Sequence, residues 1–150
     1  MTIFPRREIS GLDELADLVE TWHGERLYVR WSCGPQADLA DESGSVDELT
    51  GVPLPGLSAT SLTVEDWWQG RPVCLWVARR LYDYCHLRRD RPDVRPWILT
   101  GRETGRGPDN EPLIVHARPV ARIHKDVIAQ ACQEVIHQPG RWGPLHRTDR

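Results

Sequence analysis

The sequence predicts one α+β domain: a small mixed or antiparallel sheet, continuous or split, packed with three to four helices. Three observations predict it. Residues 11–22, 72–86 and 125–137 carry apolar side chains at helical spacing. Residues 26–32, 96–101 and 112–117 alternate, or run apolar over a strand's length. And 150 residues enclose one core far more readily than two. The domain is expected over residues 1–137, with a polar tail over 138–150.

The first helix, GLDELADLVETW, follows Ser10. Leu12, Leu15, Leu18, Val19 and Trp22 recur on one face. Asp13 and Glu14 sit in the first turn, where the helix dipole favours negative charge. In RLYVRWS (26–32), Leu27, Val29 and Trp31 would face the core. Tyr28 and Arg30 would share the other face, in water or in a cleft. Residues 33–50 read as a long polar loop, with Ser45 and Glu48 spaced to cap a short turn. GVPLPG (51–56) has two prolines, which excludes a central strand. LSATSL (57–62) reads as a short strand or extended segment, with Ser58 and Thr60 on one face. Thr63 can cap the acidic turn VEDWW.

The strongest helix signal is PVCLWVARRLYDYCH (72–86), where Pro72 suits the first helical position. Val73, Trp76, Val77, Arg80, Leu81 and Tyr84 trace one stripe. Cys74, Leu75, Ala78 and Cys85 widen it. After the linker LRRDRPDVR come the strands PWILTG (96–101) and PLIVHA (112–117). Between them lies RETGRGPDNE, which has the chemistry of a hairpin. PVARI (119–123) reads as a third segment after a kink at Pro119. KDVIAQACQEVIH (125–137) is a last amphipathic helix.

Composition excludes some functions. The net charge of -3 does not favour nucleic acid as a partner. No apolar run approaches the roughly 20 residues that cross a bilayer, so no membrane partner is expected. The N-terminus lacks the apolar stretch of a secretory signal, and the four cysteines form no C-x-x-C pair. A cytoplasmic setting, reduced thiols and no metal site are expected. Charge is uneven along the chain. Residues 1–50 carry eleven acids against four Arg, and residues 71–106 carry nine Arg against four acids. Of nineteen cations, only Lys125 is Lys, so an anion held here is expected to be held by Arg.

Three constellations could carry chemistry. The first joins Arg30, the Ser58–Ala59–Thr60–Ser61 run and Asp109–Asn110–Glu111, each on a different extended element. Arg can grip a phosphate, hydroxyls can orient it, and a carboxylate can stabilise a developing oxocarbenium ion. The bland reading is a salt bridge, a strand end and a turn. The second is GRGPDNE (105–111), which is either a backbone nest for an anion or a plain hairpin turn. The turn is favoured. The third interleaves Trp67, Trp68, Trp76, Tyr82 and Tyr84 with Arg residues. Stacking on a base is one use of such a set, and packing is the commoner one. Trp67 and Trp68 adjoin the Ser58–Ser61 segment and are the pair suited to wall a ligand. Trp22, Trp31, Trp76 and Trp97 read as core.

The first constellation resembles the ADP-ribosyltransferase fold of the Arg–Ser–Glu type, with two departures. Ala59 interrupts the Ser-Thr-Ser strand, and Asp109 stands where Glu or Gln is usual. The resemblance implies an enzyme that cleaves the nicotinamide–ribose bond of NAD. Glu111, Arg30 and Ser58 would be catalytic. Arg30, Ser58, Thr60, Ser61, Trp67, Trp68 and Asp109 would bind NAD.

The chain also resembles a family of actinobacterial proteins that is a domain of unknown function. LYVRWSCGPQADL, DELTGVPLPGLSA, LWVARRLYDYCHLR, RPWILTG and ETGRGPDNEPLI carry that resemblance over residues 26–123. It implies one domain and no particular activity. The alternative to an enzyme is a non-catalytic binding or regulatory module. It would hold a nucleotide or another small molecule, or a protein, in the same cleft or through the 33–50 loop and Trp67–Trp68.

Overall fold

Two twelve-residue strands organise the sheet. They appear in a computed structural model that describes residues 7–40, 50–51, 54–68, 70–82, 93–108 and 110–137. In chain order the strands are β1 (Glu8–Ile9), β2 (Leu27–Ser32), β3 (Leu57–Ser58), β4 (Thr60–Ser61), β5 (Arg95–Arg106) and β6 (Pro112–Ile123). The helices are α1 (Leu12–Thr21), α2 (Pro35–Ala40), α3 (Val73–Tyr82) and α4 (Lys125–His137), with a 3-10 turn at Asp66–Trp68. The class is α+β, and the sheet is mixed: β1 runs parallel to β6 and the other pairings are antiparallel.

The sheet curls because β5 and β6 carry bulges. Register shifts fall at Ile98/Leu99, Thr100/Arg102 and Glu103/Gly105. At the middle one, His116 and Ala117 of β6 stand opposite Gly101 alone, between the pairs Thr100–Arg118 and Arg102–Val115. An extra residue on one strand bends it and increases its twist. His116 takes the strain with φ of 52°, and Gly101 permits the close approach. A Cβ at Gly101 would lie 2.6 Å from Ile114 Cγ2 and 2.9 Å from the Val115 carbonyl oxygen.

The segment 57–61 joins the two edges of the curl. Leu57 and Ser58 pair with Ile114 and Leu113 of β6. One residue later, Thr60 and Ser61 pair with Val29 and Tyr28 of β2. Since β2 pairs with β5 and β5 with β6, hydrogen bonding runs around a ring with an inner face.

Alternation along β2 therefore serves two cores. Leu27, Val29 and Ile98 pack with Leu15, Trp76, Val77 and Val127 of the helices. Tyr28, Trp97 and Leu99 pack on the inner face with Leu57, Ala59 and Ile114. The face of Tyr28 and Arg30 is thus buried, with Tyr28 2% and Arg30 7% exposed. On the helical side, the Gln130 side-chain oxygen accepts from the Leu12 amide at 2.9 Å and ties α4 to the start of α1.

Several boundaries differ from the sequence reading. Residues 35–40 are helical rather than loop, because Pro35 starts a turn that buries Asp38. Residues 41–49, with Ser45 and Glu48, lie outside the described residues. No side-chain cap bond from Thr63 accompanies the turn at Asp66–Trp68. The 63-amide instead donates to Ser61 Oγ at 3.2 Å. α3 is described to Tyr82, and Tyr84, Cys85 and most of the following linker fall outside. Both hairpin strands reach further than expected, and β6 passes through Pro119 as one strand. Val120 is the extra residue there, and a bulge accommodates a residue without an N–H. The 138–150 segment also lies outside. Among the described residues, no helix is long and apolar enough to cross a membrane.

Gly101→Ala is expected to lower stability by about 1–3 kcal/mol, because the added methyl meets backbone that the bulge holds in place. Gly105→Ala, with nothing within 4 Å of the added atom, should be near neutral. Urea unfolding midpoints of the two variants check the contrast.

Candidate functional site

Arg30 lies inside the curl, where among the described residues it meets Asp38 and Ser58. Its Nε donates to Asp38 Oδ2 at 2.9 Å and its Nη2 to Asp38 Oδ1 at 3.4 Å. Its Nη1 donates to the Ser58 carbonyl at 2.8 Å and to Ser58 Oγ at 3.0 Å. Asp38 is 5% exposed. Its Oδ2 also accepts from Ser32 Oγ and, at 3.1 Å, from Trp97 Nε1. The Trp97 N–H is shared with Ser32 Oγ at 3.0 Å. The network pairs the two charges and links β2, α2, β3 and β5.

The open cleft lies beside this network. It has a volume of about 670 Å³ and runs between β4, the 63–66 segment and the far end of the β5–β6 hairpin. Thr60, Ser61 and Glu111 line it, with Arg26, Arg106 and Glu103. Arg30 and Ser58 are not among the lining residues. The expected set therefore divides. Arg30 and Ser58 meet each other inside the sheet, while Thr60, Ser61 and Glu111 meet in the cleft. Asp109 lies outside the described residues.

The hairpin turn sets the position of Glu111. The Gly107 amide donates to the Glu111 carbonyl at 2.8 Å, and the Asn110 amide donates to the Gly107 carbonyl at 3.0 Å. Asn110 has φ of 62°, a conformation Asn tolerates. GRGPDNE is thus a turn, and a Cβ at Gly107 would collide with the Glu111 carboxylate. Nearby, Glu103 accepts from Tyr28 Oη at 3.2 Å and pairs with Arg106 at 3.1 Å. Burial first, and then the Glu103 charge, hold the Tyr28 phenol above its usual pKa.

The tryptophan pair does not wall this cleft. Trp68 is buried in the helical core and its Nε1 donates to the Pro72 carbonyl at 3.1 Å. Trp67 is 37% exposed and meets Trp68 edge-on, with ring centroids 5.5 Å apart. Glu65 and Asp66 reach the cleft from the same segment. Trp76 and Trp97 are core as expected, and Trp22 and Trp31 pack partly buried against it. Among the described residues, no three His, Cys, Asp or Glu side chains are grouped as metal ligands.

The description "Family of unknown function (DUF6098)" belongs to a family model that matches residues 5–143. The chain belongs to that family. No curated protein and no solved structure matches it. The site of this DUF6098 chain therefore has to be read from its own residues. Sequence reasoning did not find Asp38, the counter-ion of Arg30. A signal was present: Asp38 follows Pro35 in a short turn, eight residues after the one cation of β2. It also did not find the cations Arg95, Arg122 and Lys125, which line a separate hollow beside Trp97.

Two outcomes follow for the DUF6098 domain. Arg30→Ala and Asp38→Ala should each cost about 3–5 kcal/mol, because each leaves one charge buried alone. Arg30→Met combined with Asp38→Leu should cost less than the sum of the two single changes, since both charges leave together. Urea unfolding measures all three variants. Separately, burial, and then the Asp13 carboxylate that its Sγ meets at 2.9 Å, push the Cys74 thiol up to about 12. At pH 8, about one Cys74 in ten thousand is thiolate. Maleimide should therefore modify exposed Cys33 well before Cys74, and Cys74 labelling should climb about tenfold per pH unit towards pH 11.

Proposed function

We propose that this domain is a binding module for a small, hydroxyl-bearing ligand that carries charge of both signs, seated in the cleft of Thr60, Ser61 and Glu111. One observation carries the reading: a single open cleft of about 670 Å³ combines hydroxyls, three Arg and four carboxylates. That volume suits a small-molecule site. The mixed charge suits a molecule with anionic and cationic parts. NAD is such a molecule, and it is the nucleotide that the residue order suggests. Its pyrophosphate would face Arg26 and Arg106, and its ribose hydroxyls would donate to Glu111. Arg30 would support the cleft from behind, by holding Ser58 next to Ala59 and Thr60, rather than touch the ligand.

A second reading rests on the position of Glu111. A carboxylate near a bound nicotinamide ribose could stabilise the ribosyl cation as nicotinamide leaves. Thr60 and Ser61 beside it favour that reading. Burial of Arg30 against Asp38 favours binding without turnover, because no guanidinium from β2 is offered to the pyrophosphate.

Calorimetric titration with NAD and with ADP-ribose tests both readings. Saturable binding of both is expected, weakened about tenfold by Glu111→Gln and by Arg106→Gln. Nicotinamide should appear no faster than in the blank. Release that needs Glu111 would make the domain an enzyme. No binding of either nucleotide would remove the assignment.

A further inference from the structure

We infer that the hollow at the opposite end of the β5–β6 hairpin binds a phosphate group. The hollow has a volume of about 430 Å³, and Arg95, Arg122 and Lys125 line it. Their convergence follows from register. Arg122 stands opposite Trp97, and Arg95 precedes Trp97 by two residues on the same strand. Residues directly opposite, or two apart, share a face of a sheet. Both guanidinium stems therefore stand on the face that Trp97 floors, and Lys125 opens α4 three residues after Arg122.

Charge distinguishes this hollow from the nucleotide cleft. Glu8 is the one carboxylate among its described lining residues, against three fixed cations. The other cleft carries four carboxylates against three Arg. Arg30, Arg106 and Arg118 each pair with a carboxylate, those of Asp38, Glu103 and Glu25. Among the described residues, Arg95, Arg122 and Lys125 take part in no ion pair or side-chain hydrogen bond. Three cations drawn together at such a spot repel one another, and an anion removes that repulsion. His124 adds a donor. Its Nδ1 lies 3.1 Å from the Asp126 amide nitrogen and 3.5 Å from the Asp126 carboxylate.

Among the lining residues the cations outnumber the one acid, with Asp93 beside Cys33 on the rim, and two planar guanidinium groups suit phosphate oxygens. Trp97, Pro96 and Ile123 supply apolar wall beside the cations. A phosphate monoester of a small organic molecule fits both halves, and inorganic phosphate fits the cationic half.

Cys33, an exposed thiol on the rim whose Sγ meets Asp93 Oδ2 at 3.3 Å, is a built-in reporter. The experiment follows maleimide modification of Cys33 in the full chain, located by mass spectrometry. Inorganic phosphate or phenyl phosphate is added, against chloride at equal ionic strength. Either phosphate should slow Cys33 labelling saturably and leave Cys132 unchanged. Arg95→Gln and Arg122→Gln should each raise the protecting concentration about tenfold, with unchanged urea midpoints. Protection by phenyl phosphate at lower concentration than inorganic phosphate assigns an ester; equal protection assigns the free ion. Glu111→Gln should leave protection intact, which separates this site from the nucleotide cleft. Equal protection by chloride, or full protection in both Arg variants, would overturn the inference.

Discussion

The buried pair of Arg30 and Asp38 is the constraint around which the inner half of the sheet is built. A guanidinium taken out of water costs several kcal/mol unless an opposite charge and further acceptors replace the solvent. Here the replacements come from three places in the chain. Asp38 requires α2 to fold back over the end of β2. The Ser58 carbonyl and hydroxyl require β3 to pass close to Arg30. Trp97, whose N–H faces the same carboxylate, fixes the indole that floors the inner core. A neutral side chain at position 30 could fill the space, but it would not specify which strands meet around it.

That constraint decides where ligands can go. The inner face is filled by Tyr28, Trp97, Leu99 and Ile114, and a hollow of about 710 Å³ lies beside them, lined by Asp38, Leu39, Leu57, Ile114 and Ala117. Two of the concavities lie at the ends of the hairpin, separated by roughly 30 Å of strand at about 3.3 Å per residue before curling. The two ends differ in charge. At the turn end, acids and Arg are interleaved and partly paired, as in Glu103 with Arg106. At the open end, the strand termini and the start of α4 bring cations together with one acid.

Much of the outer half was legible in the sequence. α1, β2 and α4 follow from apolar spacing, and their boundaries differ from the reading by a residue or two at most. The inner half was not, for definite reasons. Asp38 looks like a solvated acid in a polar loop, and a six-residue helix has too few turns to show a period. The outer end of β5 is polar and contains Gly105, so it reads as loop, and Pro119 makes the second half of β6 read as a separate segment. Bulges then broke the alternation that would have marked them. For the site, Thr60, Ser61 and Glu111 line one cleft, whereas Ser58 meets Arg30 inside the sheet. Arg30 was placed on the correct face of β2, but that face proved to be a second core.

Arg30 shows why a buried structural network can resemble a catalytic set. Both require a cation in an apolar strand, a hydroxyl on a neighbouring strand and a carboxylate within reach. Both put polar atoms where water is excluded. The difference is whether any donor remains for a ligand. Among the described residues Arg30 meets four acceptor atoms from two residues, in a geometry that a planar guanidinium can satisfy and a single ammonium could not. The preference for Arg across this chain therefore has a structural use at position 30. At positions 95 and 122 the same chemistry meets no acceptor among the described residues, and the phosphate proposed for that hollow would complete it.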